Sequence, residues 1–516
     1  MSRDDLVRGT PVVTSEHLFI AGGWVTPTTA ETIEVISPHT ERLVARVPAA
    51  SVTDVDRAVA AARTAFDHGP WPHTDPSERI ALVRRLAELY SAREEELAQL
   101  ITTEMGAPIT FARSAHAKLP GVMMRAFADI AENYPWQRTR SGFLGGDVLV
   151  VHEPVGVVAA IIPWNMPMFL IVAKLIPALL AGCAIVLKPS PETPLDAYLM
   201  AELLDELGLP PGVVSILPGD REIGRHLVAH PGVDKVSFTG STAAGRLVAE
   251  TCGAALRRVS LELGGKSAAV VLDDADPADV ADGMLVAGLM NSGQACVAQT
   301  RVLLPRHRSD EFLDALVDRI ENLTVGDPFD PATRVGPMVS QRQQHRIRGY
   351  IEHARHQGAR LLTGGTELPD TVDRGWYVRP TVFADVDSSM RIAREEVFGP
   401  VLSVLTYTDD DDAVAIADAT EYGLSGSVWT ADIDRGLGLA RRIRSGTLGI
   451  NQPYTMDPAG PFGGVKNSGI GREFGPEGIG AYLDTKSISV RAAPVNSGVE
   501  QVISTETGDR AERATP

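Results

Sequence analysis

Two side chains in this sequence carry reactive chemistry at the ends of one stretch: Glu262 and Cys296, within LELGGKSAAVVLDDADPADVADGMLVAGLMNSGQAC over residues 261–296. A thiol is intrinsically very nucleophilic once it loses its proton, and an adjacent base or an electropositive setting activates it. A buried carboxylate beside it would complete a nucleophile-and-base pair. Gly293 and Gln294, just ahead of the thiol, are small and polar residues that let a backbone approach closely. Taken singly, each residue has a plainer reading. A free cysteine is among the most buried residue types, and a lone glutamate is most often a solvated charge.

For the carboxylate and the thiol to meet, the chain between them must go out and return. The apolar run 267–272 predicts a strand and 277–290 predicts a helix, an excursion that can fold the two ends together. Upstream, strands near 157–162, 184–188, 213–217, 234–238 and 257–261 alternate with helical stretches, the pattern of a parallel sheet with helices on both faces. The strand DKVSF feeds directly into TGSTAAG and then a helix, RLVAETC. Glycine allows the close turn, and the N–H groups of a helix start can hold a pyrophosphate. The spacing is not GxGxxG, so this segment alone is weak evidence for a dinucleotide site. Lys188 ends the strand AIVLK, where open parallel sheets bind ligands; it could hydrogen-bond ribose hydroxyls or serve only as a solubilising charge.

The remaining elements frame this core. LFIAGGWV from Leu18 predicts a strand, a turn and a strand. Asp54 is expected to cap a helix that carries Val55, Val59, Ala62 and Phe66 at helical spacing. A second helix is expected from about Ser77 to Met105, stopping at Gly106, with Leu82, Leu86, Leu89 and Leu97 as its core stripe. Residues 143–158, with glycines at 145 and 146, predict a strand pair with an inserted turn. An apolar strand over about 481–490 would be an aggregation hazard if its edge stayed unpaired. After Cys296 a second α/β region is expected to about Gly449, with helices at 308–322 and 339–357.

A chain of 516 residues is too long for one ordinary core and points to roughly two to four domains. Its formal net charge of -18 disfavours nucleic acid and anionic membranes as partners. The 3 cysteines, at 183, 252 and 296, form no disulfide framework and fit a reducing compartment, so a cytoplasmic location is expected. The N-terminus lacks the apolar core of a secretion signal. The apolar stretches near 155–162 and 166–185 are interrupted by Pro163, Asn165, Lys174, Pro177 and Gly182, so no membrane span is expected. No metal site is expected from 12 scattered histidines; His226 and His230, four apart, read as a solvated helix face.

LELGGK at 261–266 and GQAC at 293–296 resemble the aldehyde dehydrogenase superfamily, which carries a glutamate in the first string and a nucleophilic cysteine in the second. PWNMP at 163–167, KPSPETP at 188–194, FTGSTAAG at 238–245, EEVFGP at 395–400 and PFGGVKNSGIGRE at 461–473 follow the same family pattern in order, from about Phe19 to Ile488. The resemblance implies an α/β fold. A Rossmann-like parallel-sheet NAD(P)-binding domain would span 17–138 and 154–261, and a second α/β, catalytic domain would span 262–480. A small β bridging element for oligomerisation would take 139–153 and 481–495, with tails at 1–16 and 496–516.

It also implies NAD(P)-dependent oxidation of an aldehyde to the carboxylic acid. Cys296 would attack the carbonyl to give a thiohemiacetal, with the Asn165 side chain and the Cys296 N–H as oxyanion donors. Hydride transfer to the nicotinamide would leave a thioester, and Glu262 would activate the water that hydrolyses it and could also deprotonate the thiol. Lys174 and Glu473 either relay protons to that base or form an ion pair that fixes domain packing. Cofactor binding would fall on Ile161, Pro163, Trp164, Lys188, Ser190, Gly219, Phe238, Gly240, Ser241 and Leu263, with Glu396 on the nicotinamide ribose and Phe398 against the nicotinamide. NAD is favoured, with NADP left open because Pro191 stands where relatives frequently have glutamate; Arg221 likewise replaces a glycine of many relatives.

By the same resemblance Met166, Met168, Phe169, Leu170, Ala173, Ala295 and Val297 approach the substrate, and their apolar character favours a hydrophobic aldehyde over a semialdehyde; the alternative is that several of them only pack. The expected partners are a small aldehyde and further copies of the chain, in a homodimer or homotetramer. Two rival readings are a cysteine-dependent ester or thioester hydrolase and a non-catalytic binding or structural relative. Cys296, Glu262, Asn165 and Lys188 together speak against the second, and Glu262 favours release of a free acid over transfer to coenzyme A.

Overall fold

Two mainly parallel sheets are connected in the chain by the segment that follows Glu262. The computed structural model describes residues 12, 13, 15–453 and 456–491, so the expected tails at 1–11 and 496–516 and the end of the bridging element at 492–495 lie outside the described residues. The first sheet has eight strands in the order Gly469–Ile470, Arg258–Glu262, Lys235–Thr239, Val157–Ile161, Ala184–Lys188, Val214–Ile216, Leu18–Ile20 and Gly23–Val25. The inner five are parallel, and the outer strands on both sides run antiparallel. Their interior is almost wholly apolar, as expected of strands covered on both faces. The register sets Ile161 beside both Lys188 and Phe238, and Thr239 beside Glu262. One edge of the sheet therefore gathers the carboxyl ends of four strands, where ligands of open α/β sheets bind.

The second sheet has seven strands: Arg360–Thr363, Thr381–Ala384, Val401–Tyr407, Arg301–Pro305, Ala268–Val271, Gly426–Trp429 and Gly449–Ile450, all parallel except the first. Its order makes Ala268–Val271 an inner strand, reached directly from Glu262 through residues 263–267. An α/β fold with parallel sheets is thus what the alternating pattern led us to expect. The strand Gly469–Ile470 is a difference: although it follows the second sheet in sequence, it pairs with Leu261 and Glu262 at the edge of the first.

Three local expectations change. Asp54 does not cap its helix; Ser51 caps Val52–Asp67, and Asp54, buried at the third helical position, accepts from the Ser51 N–H at 3.0 Å in a reciprocal capping box. The long helix from Ser77 to Met105 is two helices, Pro76–Ser91 and Glu94–Met105. Arg93 leaves helical geometry between them, and Glu94, Glu95 and Glu96 start the second helix with charges that suit its amino-terminal dipole. The face that the first helix buries is Ile80, Val83, Leu86, Ala87 and Tyr90, which leaves Leu82 and Leu89 half-buried. The predicted strand pair over 143–158 is also shifted: Gln137–Ser141 pairs with Asp147–Pro154 across a turn that holds Gly145 and Gly146, both at positive φ.

That hairpin and the strand Leu483–Val490 form a three-stranded sheet, most of which lies in a small unit of residues 135–152 and 485–491. Val12–Val13, expected within a tail, pairs in parallel with Ala45 and Arg46. No helix among the described residues is long and apolar enough to cross a membrane.

Candidate active site

The strand-helix excursion returns as required. After Ala268–Val271 the helix Pro277–Ala287 runs back, shorter than expected, and a tight turn over Met290–Gly293 delivers Cys296. A Cβ placed on Gly265 would stand 2.6 Å from the Cys296 carbonyl oxygen, so the segment after Glu262 and the nucleophile loop touch backbone to backbone. Only glycine permits that approach at position 265.

The turn before the thiol is wound left-handed. Asn291, Ser292 and Gly293 have φ of 52°, 57° and 74° in succession. For the two non-glycine residues that conformation costs on the order of 1–2 kcal/mol each, so the surroundings must enforce it. The Asn291 Nδ2 group donates to the Asn165 carbonyl at 2.8 Å and to the Gln294 carbonyl at 3.3 Å, and Ser292 Oγ accepts from the Gly336 N–H at 2.9 Å. Gln294 Oε1 accepts from the Val339 N–H at 3.0 Å. At Gly293 a Cβ would lie 2.3 Å from the Gly399 carbonyl carbon and oxygen. Gly293→Ala combines a left-handed alanine with a backbone clash, and we expect it to cost about 2 kcal/mol or more of stability and most of the activity. Thermal unfolding and steady-state turnover check this; an unchanged melting temperature with full turnover would contradict the packing described.

Glu262 is buried, and neither carboxylate oxygen meets a hydrogen-bond partner among the described residues, although the Gly464 N–H lies close enough to favour its charge. Burial pushes its pKa well above the usual carboxylate range and nearby Glu473 adds to this, while Lys174 and Arg472 oppose it. Lys174 and Glu473 form a fully buried ion pair. Glu473 is held in place by paired backbone hydrogen bonds with Phe462, each 2.7 Å. The ion pair and the candidate base therefore act on one another electrostatically, a condition common to both readings of Lys174 and Glu473.

The Cys296 thiol is half-buried. Burial, then the carboxylates of Glu396 and Glu262, push its pKa up to about 12, against the N–H groups of Cys296 and Val297. The electropositive setting considered for this thiol is not what surrounds it: its charged neighbours are acids. A thiol so placed stays protonated near neutral pH and needs a base. Beside it, Asn165 Nδ2 donates to the Gln294 carbonyl at 3.2 Å, which ties the asparagine to the nucleophile loop.

Cys296 opens on a cavity of about 240 Å³ lined by Pro163, Trp164, Asn165, Thr239, Gly240, Ser241, Leu263, Gly264, Gln343, Arg346, Glu396 and Phe398. The Thr239 hydroxyl is buried without a partner among the described residues. Ser241 caps the helix Thr242–Ala254, leaving its amino terminus at this cavity. Glu396 Oε1 accepts from the Gly265 N–H at 3.0 Å, and the Phe398 ring meets Trp164 edge-on with centroids 5.3 Å apart. Phe398 sits at φ 62°, and its carbonyl accepts from Gln343 Nε2 at 2.8 Å. Arg346 donates to the carbonyls of Val397 and Glu396 and so clamps the same loop. Farther along the strand ends, Lys188 Nζ donates to the carbonyls of Pro189 at 2.8 Å and Gly219 at 2.6 Å, and burial lowers its pKa to about 8.

Residues 24–488 match the aldehyde dehydrogenase family. The chain belongs to that family. It is 48% identical over 473 residues to geranial dehydrogenase of Castellaniella defragrans, covering 92% of this chain and 98% of the relative. It is similar to an aldehyde dehydrogenase of Mycobacterium tuberculosis crystallised with NAD+, with a TM-score of 0.91, 47% identity, and coverage of 95% of this chain and 100% of that one. A mutant of aldehyde dehydrogenase C from Pseudomonas syringae, in complex with NAD+ and octanal, has a TM-score of 0.90 and 42% identity, covering 93% of this chain and 98% of that one.

In this aldehyde dehydrogenase the residues singled out by sequence, apart from the Lys174–Glu473 pair, fall into three groups. Pro163, Trp164, Asn165, Gly240, Ser241, Leu263, Cys296, Glu396 and Phe398 share the cavity, with Glu262 in the chain beside Leu263. Ile161, Lys188 and Phe238 stand together at the strand ends, and Gly219 reaches them through Lys188. Ser190, next to that group in sequence, donates its hydroxyl to Glu192 at 2.5 Å. The third group is the buried apolar set: Met166, Met168, Leu170 and Ala173 at and along the helix Pro167–Ala181, with Ala295 and Val297 flanking the thiol; none of them lines this cavity. Phe169 packs edge-on against Phe474 at 5.6 Å, in an aromatic cluster with Phe127 and Phe462. Thr239, Gln343, Arg346, Asn291 and Gln294 were not anticipated as site residues. Gln294 and Thr239 lie within the motifs GQAC and FTGSTAAG, whereas Gln343 and Arg346 lie on the polar helix Gln341–His356, which carries no local signal of chemistry.

Proposed function

We propose that this aldehyde dehydrogenase oxidises a hydrophobic aldehyde to its carboxylic acid with NAD, through a thiohemiacetal and then a thioester on Cys296. The observation that supports this reading is a cavity lined by Cys296, Asn165 and Ser241, the cap of Thr242–Ala254, with Glu262 next in the chain to its lining residue Leu263 and near enough to act electrostatically on the Cys296 thiol. The residues present fit a dinucleotide: a buried Thr239 hydroxyl with no partner among the described residues, a capped helix start and a glycine at 240 leave room and donors for phosphates. Lys188, Glu396, Phe398 and Trp164 would hold the remainder. NAD, when bound, supplies the oxidant.

The chain's own residues divide the work. Glu262 takes the thiol proton, which the acidic surroundings of Cys296 would otherwise retain, gives it up to solvent, and then takes a proton from the water that cleaves the thioester. Asn165 and the Cys296 N–H hold the oxyanion; removing such a donor costs about 3–4 kcal/mol of transition-state stabilisation. Lys174 and Glu473 adjust the charge on Glu262 from behind. The exposed Phe143 and Leu144 at the hairpin tip, with Ile488 and Val490 on Leu483–Val490, support assembly into a homodimer or homotetramer.

Two relatives bear on substrate class, one named for geranial and the other bound to octanal. Their apolar aldehydes agree with the apolar Ala295 and Val297 that flank Cys296. A panel of aldehydes ranked by kcat/KM with NAD should favour medium-chain aliphatic or terpenoid aldehydes over succinic semialdehyde by at least about tenfold. Preference for the semialdehyde would overturn the substrate class. No NADH from any aldehyde, with ester hydrolysis retained, would favour the hydrolase reading.

A further inference from the structure

One buried histidine stands behind the nucleophile turn. His116 lies in a stretch, Ala112–Lys118, where the helix widens into π-type turns before continuing as Leu119–Glu132. Pro120 supplies a reason for the widening. It has no N–H to offer the His116 carbonyl four residues back, and its ring would crowd that carbonyl in a regular α-helix. Such π-type insertions frequently accompany functional sites.

The His116 side chain is fully buried, flanked edge-on by Phe111 at 5.4 Å, and its Nε2 lies 3.3 Å from Asn291 Oδ1. The Asn291 amide has only one orientation compatible with its other contacts, because its Nδ2 group faces the carbonyls of Asn165 at 2.8 Å and Gln294 at 3.3 Å. Its oxygen therefore accepts, and His116 must present an Nε2–H donor. The opposite nitrogen, Nδ1, is buried without a partner among the described residues, which fits a neutral imidazole with its proton on Nε2. Burial lowers the pKa to about 4, so the ring keeps this form across the neutral range.

We propose that His116 is a positioning residue for the oxidation, orienting the Asn291 amide so that it bridges the Asn165 loop to the left-handed turn that presents Cys296. The inference rests on the reading of Asn165 and Cys296 as oxyanion donor and nucleophile. The Gln294 carbonyl accepts from both Asn165 Nδ2 and Asn291 Nδ2, so the tilt of one amide is passed to the other. Without the imidazole donor, the Asn291 oxygen is left buried and unpaired, and the amide is free to turn away from the two carbonyls. Three consecutive residues at positive φ lose one of the ties that keep them there.

The test compares His116→Leu, which removes the donor, with His116→Gln, whose side-chain amide can restore it, in the full-length enzyme. His116→Leu should lower kcat about 10- to 100-fold while leaving the KM for NAD within about twofold, and His116→Gln should recover kcat to within about threefold of wild type. Alkylation of Cys296 by iodoacetamide should follow the same order. Wild-type kcat and alkylation in the leucine variant would overturn the proposal, as would a glutamine variant no better than leucine. Should the leucine variant fail to fold, the glutamine variant decides alone: near-wild-type kcat supports the role, and a loss beyond about 30-fold in a folded protein removes it. Alkylation needs no aldehyde turnover, so a wild type that oxidises no aldehyde would sink the functional reading while leaving the His116 comparison measurable.

Discussion

Cys296→Ala is expected to abolish both aldehyde oxidation and ester hydrolysis, a loss of at least about 10⁴-fold, because no other thiol can take its place. Cys183 and Cys252 are buried, and burial holds the Cys183 thiol up at about 12. NAD affinity should survive, since removal of one sulfur leaves the strand ends, the Thr242–Ala254 amino terminus and the Trp164–Phe398 pair intact. Quenching of tryptophan fluorescence on NAD addition reads that affinity separately from turnover. Retained dehydrogenase activity in the variant would remove the nucleophile assignment, and lost NAD binding would mean that the substitution disturbs more than the chemistry.

The second large effect is expected at Glu262. Glutamine has almost the same shape and leaves the fold intact, but it cannot accept a proton. Glu262→Gln should therefore give at most one equivalent of NADH per active site, formed more slowly than in wild type because the thiol also loses its base, followed by steady turnover reduced about 10²- to 10⁴-fold. The pH dependence carries a sign. Burial and Glu473 raise the Glu262 pKa, so the protonated, inactive form persists to higher pH than for an ordinary glutamate. Wild-type deacylation should rise with pH as that group loses its proton, and the glutamine variant should lack this limb. An undiminished steady state in the variant would rule out Glu262 as the deacylation base.

How far the sequence alone led can be judged residue by residue. Alternating apolar strands and helices were enough to locate the parallel sheet, because strands buried on both faces leave no polar alternation to confuse the reading. The return of Cys296 toward Glu262 was legible for the same reason, and Gly293 was legible as a close-approach glycine. The left-handed Asn291 and Ser292 were not, since neither type requires that geometry; it is imposed by carbonyls and an amide from distant segments. The break at Arg93 was hidden because strong helix formers run through it without glycine or proline. The acidic charge around Cys296 was not legible for a tertiary reason: Glu396, more remote in sequence, is brought in by its hydrogen bond with Gly265. Gln343 and Arg346 illustrate the same limit, for they reach the site from a helix whose sequence reads only as polar surface.

The central claim is that oxidation proceeds through a covalent acyl group on Cys296. Its most direct test is mass spectrometry of the Glu262→Gln variant after brief exposure to octanal and NAD, followed by acid quench and peptide mapping. The account predicts an octanoyl group on the peptide that contains Cys296 and on neither Cys183 nor Cys252. NADH formed without any acyl-cysteine, or the acyl group found on another residue, would contradict it.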